Sequence, residues 1–106
     1  MSVLFRLDPT EIKRRKDIGG QEKITEYYQE IATRISLVLF GRSLIRKIFN
    51  DGLRWGIGPD QPWTMTVDER RLTAELKYHY EDAITTRFYH ALKIVLIEVL
   101  KLDKFN

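Results

Sequence analysis

The last third of the chain, residues 66–102, sets the hardest condition on the fold, because its apolar residues do not keep to one side. Thr66-Val67-Asp68-Glu69 has the spacing of a capping box, so it predicts a helix start. Leu72, Leu76, Tyr80 and Ala83 then share one helical face, whereas Phe88, Leu92, Val95, Leu96 and Val99 share another. At about 100° per residue the centre of the apolar stripe moves by roughly 150° between these halves. A straight helix of about 35 residues would also span roughly 50 Å, against a radius of gyration near 13 Å for a compact chain this size. The segment is therefore expected to kink or change state near Thr85-Thr86-Arg87. Residues 94–99, interrupted only by Glu98, read equally as a buried helix or a buried strand.

A chain of 106 residues and 12.6 kDa holds one core, so a single domain over residues 1–106 is expected, with residues 1–8 as an N-terminal arm. Within that arm Val3-Leu4-Phe5 reads as an edge strand or a docked segment. Asp8-Pro9-Thr10-Glu11 opens a short helix, with Asp8 as cap, and Gly19-Gly20 ends it. Residues 21–40 form the clearest amphipathic helix. Ile24, Tyr27, Tyr28, Ile31, Ala32, Ile35, Val38 and Leu39 lie on one side, with Leu37 and Phe40 outside that stripe. After Gly41, Ser43 is placed to cap a short helix through Phe49, stopped by Asn50-Asp51-Gly52. Residues 53–63, with Gly56, Gly58, Pro59 and Pro62 following Gly52, read as a loop that Trp55 and Trp63 anchor to the core. The expected fold is mainly α, a helical bundle of about four helices. The alternative is α+β with a C-terminal strand near residues 94–100.

Little in the sequence points to catalysis. Glu75, His79 and Asp82 would share a helical face at i, i+4 and i+7, an outline of a metal set that a solvated face explains equally well. His90 reads as a hydrogen-bonded core histidine. Gly56-Ile57-Gly58 lacks the third glycine and the preceding strand of a dinucleotide fingerprint. Ser2, Ser36 and Ser43 stand in no nucleophile elbow, there is no cysteine, and no Walker loop is present. No catalytic, cofactor or metal residue is assigned, and the chain is expected to act without cofactors as a non-enzyme.

The net charge of +3 is uneven: residues 1–50 hold ten Lys/Arg against six Asp/Glu, and residues 51–106 hold eight against nine. Two basic clusters, Lys13-Arg14-Arg15-Lys16 and Arg42, Arg46, Lys47, Arg54, are candidate phosphate contacts, with Phe49 and Trp55 near the second. The opening residues are charged too early for a secretory signal, and no run approaches the roughly 18 apolar residues of a membrane span. A soluble, cytoplasmic protein without membrane contacts is expected.

Surplus apolar residues favour a protein partner or a homo-oligomer, with Leu37, Phe40, Ile94, Ile97, Val99 and Leu102 as the candidate interface. The leading expectation is an assembly subunit, and the alternative is a small nucleic-acid-binding protein. A long amphipathic helix, an Arg/Gly turn, a Gly/Pro-rich loop, a second helix and Lys93-Ile94-Val95-Leu96-Ile97-Glu98-Val99 follow one another from about Gly20 to Val99. This order resembles, in pattern, small baseplate wedge subunits of contractile tails. Phe88-Tyr89-His90 stands where that family carries Glu-Pro-Arg. The resemblance implies an assembly role and a C-terminal strand.

Overall fold

Two helices pack on one face of a five-stranded antiparallel sheet in the computed structural model, which describes residues 2–48, 53–80 and 90. The elements run β1 (Ser2–Arg6), α1 (Pro9–Gly19), α2 (Gln21–Phe40), β2 (Ile45–Lys47), β3 (Arg54–Ile57), β4 (Trp63–Asp68) and β5 (Thr73–Tyr78). The strands lie in the order β1-β5-β4-β3-β2. The fold is α+β, and the expected four-helix bundle is incorrect. Among the described residues no helix is long and apolar enough to cross a membrane.

Both helices form where their end signals place them. The Asp8 carboxylate accepts hydrogen bonds from the backbone N–H groups of Thr10 and Glu11 at 3.0 and 3.4 Å, and Pro9 occupies the first turn. Gly20, at φ 69°, ends α1 by donating to the Lys16 carbonyl and lets α2 start at the next residue. α2 ends where Gly41 donates to the Leu37 carbonyl. Ser36, fully buried, then turns the chain: its hydroxyl donates to the Arg42 carbonyl at 2.7 Å and accepts from the Leu44 N–H at 2.8 Å.

The helix expected from Thr66 is instead a β-hairpin. Trp63, Met65 and Val67 alternate with polar residues, as do Ala74, Leu76 and Tyr78, which is the period of a half-buried strand. The acceptor in the supposed capping box is Asp68, whose carboxylate receives the Arg70 and Arg71 N–H groups at 3.1 and 3.2 Å. One turn forms, Leu72 adopts φ 52°, and the chain reverses with Asp68 opposite Thr73. Likewise the short helix expected after Ser43 is strand β2, and the expected loop over residues 53–63 contains β3 and the start of β4. The second helix required by the baseplate-like order is thus replaced by strands. The kink near Thr85 and the strand near residues 94–100 lie outside the described residues.

Register puts Val3, Phe5, Ala74, Leu76, Tyr78, Met65, Trp63, Trp55 and Ile57 on one face, where they meet the α2 stripe. The two tryptophans are anchors as expected, 0% and 1% exposed. The Trp55 ring meets Tyr28 edge-on at 6.2 Å between centroids, and Trp63 lies 4.7 Å from Tyr78. Gly58, at φ 95°, leaves room for the Phe40 ring, whose carbons would lie 2.9 Å from an added Cβ. The opposite face is polar: Ser2, Lys77, Thr64, Gly56 and Arg46 form one row across the strands, and Leu4, Glu75, Thr66 and Arg54 form the next.

Candidate interaction surfaces

The most apolar exposed feature of α2 is its last turn. Leu37 is 45% and Val38 49% exposed, while Ile24, Tyr28, Ile31 and Ile35 are buried. Val38 was expected in the buried stripe. At this end the inward side runs through Ile35, Ser36, Leu39 and Phe40, and Val38, about 100° from Leu39 around the helix, falls outside it. Phe40, offered as interface by its spacing, is half-buried against the core and Gly58. Ile94, Ile97, Val99 and Leu102, the remaining candidate interface residues, lie outside the described residues.

Two of the four cations in the first basic cluster are occupied within the protein. Arg14 pairs with Glu11 at 2.6 Å, and Arg15 bridges Glu11 and Glu30 at 2.7 Å each. The Arg15 guanidinium also lies 5.3 Å from the centre of the Tyr27 ring, which clamps α1 to α2. Hydrogen bonds from Arg14 and then Arg15 hold the Glu11 carboxyl down to about 2. Those to Glu30 and then Glu11 push the Arg15 pKa upward. Lys13 and Lys16 are exposed.

The second cluster is divided by the pleat of the sheet. Arg46 stands opposite Gly56 on the polar face, and Arg54 is two residues along β3 on that same face. Lys47, opposite Trp55, projects to the helix side, and Arg42 sits in the turn after α2. Lys47 joins Arg34, Glu22 and Glu26 in lining an open groove of 710 Å³ along the polar side of α2. Arg46 and Arg54 are therefore the members that one anionic ligand on the sheet face could meet together.

The strand geometry removes the outlined metal set. Glu75 and His79 are four residues apart in an extended chain, about 13 Å at 3.3 Å per residue, too far to share an ion. His79 Nε2 instead shares a 2.6 Å hydrogen bond with the Thr64 hydroxyl of β4. Asp82 lies outside the described residues, and among the described residues no three His, Cys, Asp or Glu side chains form a metal-binding group.

A polar contact without a sequence signal ties α2 to the β4–β5 turn. The Tyr28 hydroxyl and the Gln21 amide both donate to Glu69 Oε2, at 2.9 and 3.2 Å. Burial, and then the carboxylate it binds, push the Tyr28 phenol above its ordinary range, so it serves as a donor at neutral pH. Only the assembled hairpin brings residue 69 beside residues 21 and 28. Comparison with protein-family models, curated proteins and solved structures finds no match to this chain.

Proposed function

We propose that this protein is a non-enzymatic assembly subunit that docks partner protein chains through the outward side of the last turn of α2. The observation that carries the reading is the adjacent pair Leu37 and Val38, about half exposed on a helix whose other large apolar residues pack inward. Exposed apolar side chains rimmed by charge, here Arg34 and Arg42, suit a protein interface. By sequence, Ile94, Ile97, Val99 and Leu102 add to the same apolar supply. The test is co-purification from the native host at low and high salt, comparing the natural chain with a Leu37→Asp, Val38→Asp variant. Protein partners that survive high salt and disappear with the variant are the expected result. An identical set of partners on the variant sinks the reading.

A second reading, binding of nucleic acid, is favoured by one observation: Arg46 and Arg54 share the polar sheet face, diagonal to each other across β2 and β3. Phosphate contacts of this kind weaken steeply as salt rises. Nucleic acid that co-purifies at low salt, is lost at high salt and is lost again on Arg46→Glu supports this reading. Binding that is flat across salt removes it.

A further inference from the structure

Among the described residues the sheet ends in β1 on one side and β2 on the other, and the two edges are built differently. β2 has three residues, two of them the exposed cations Arg46 and Lys47. Short length and edge cations are the devices by which a strand resists further pairing. β1 has five residues and carries no proline, no glycine and no charge before Arg6. Before Arg6 it has none of the protection that β2 has.

Its free side can be read from the ladder. The Leu7 N–H donates to the Leu72 carbonyl at 2.9 Å, so residues 7, 5 and 3 turn their backbone groups toward β5. Leu4, between Val3 and Phe5, therefore turns its N–H and C=O away from the sheet. Its side chain is half-buried on the polar face, while Val3 and Phe5 are fully buried on the other.

The strand is also nearly self-complementary about Leu4. In an antiparallel pair of two β1 strands, Leu4 meets Leu4, Val3 meets Phe5 of the second copy, and Ser2 meets Arg6. No like charges oppose one another, and the side chains that meet belong to the same face, so the helical layers of both copies stay on one side. We propose that β1 is the docking edge for a second copy of this chain, which joins antiparallel at a two-fold axis through Leu4 and continues the sheet. The contact is isologous, and main-chain bonds supply its specificity. It uses a different surface from Leu37 and Val38 and stands without it.

The test combines light scattering on the full chain over a concentration series with amide hydrogen exchange. The mass is expected to rise from 12.6 kDa toward twice that value. The Leu4 amide should gain protection with concentration, while the Phe5 amide, bonded to β5, stays protected throughout. Leu4→Lys sets two ammonium groups face to face at the axis. Leu4→Pro removes the outward N–H without touching the β5 ladder. Both variants should remain at the single-chain mass with circular dichroism unchanged. A single-chain mass at every concentration, with the Leu4 amide exchanging freely, overturns the proposal. So does a dimer that both variants leave intact and that Leu37→Asp with Val38→Asp abolishes, a result that supports the helix-end surface instead. Should either variant fail to fold, the exchange of the Leu4 amide in the natural chain decides.

Discussion

Among the described residues, none accepts a hydrogen bond from the buried indole N–H of Trp55, whose ring is fully enclosed. An orphaned buried donor costs about 1–3 kcal/mol, so the residue is held by ring packing against Tyr28 and not by polar contact. Trp55→Phe removes that penalty while losing part of the volume. It is expected to cost clearly less in urea unfolding than Trp55→Ala, for which about 3–5 kcal/mol is usual. Equal losses would show that the N–H is satisfied in solution. Nearer the surface, the half-buried Glu11 has a carboxyl held down from 4.5 to about 2 by Arg14 and Arg15. Because the folded value is depressed, its stabilisation is present above about 4.5 and is lost as pH falls toward about 2. Glu11→Gln should flatten this part of the stability profile. Added salt should shrink the difference between the two proteins, since the group is at the surface.

Ser36 shows how a single buried hydroxyl ends one element and aims the next. Ser36→Ala leaves the Leu44 N–H and the Arg42 carbonyl without their partner and should cost about 1–3 kcal/mol in thermal or urea unfolding. A loss within error of zero would mean that the turn into β2 is held by other contacts. Both helices were legible in the sequence because Asp8, Pro9, Gly20 and Gly41 mark their ends and the 3.6-residue stripe from Ile24 to Ile35 is unbroken. The sheet was not. Leu72, Leu76 and Tyr80 fall at helical spacing by coincidence, and Asp68 at the head of a turn gives the same local signal as a helix cap. Gly56 and Gly58 disguised β3 as a loop. What distinguishes β4 and β5 is the alternation of Trp63, Met65, Val67 and of Ala74, Leu76, Tyr78, a period-two signal in runs of only six residues. Of the candidate interface, Leu37 was readable from its place off the stripe. Val38 was not, since its spacing places it on the stripe while the structure leaves it half exposed.

On the scale of the whole molecule, the helices and one sheet face make a single apolar layer, and cations are distributed around it instead of being gathered on one side. Arg14 and Arg15 bind α1 to α2, Lys47 faces the groove, and Arg46, Arg54 and Lys77 share the polar sheet face with Glu75. That division weighs against a broad electrostatic footprint and toward contacts made through shape and apolar surface. The order β1-β5-β4-β3-β2 has a temporal consequence as well. Strands β2 to β5 pair in succession, so their ladders close over short loops, whereas β1 must wait for the residues near position 75. Of the described strands, β1 leaves the ribosome before the others yet is the last to find its neighbour, and Val3 and Phe5 remain uncovered until then. Stopped-flow measurements should therefore find that Phe5→Ala mainly speeds unfolding, while Leu76→Ala, in the hairpin that β1 needs as its template, also slows folding.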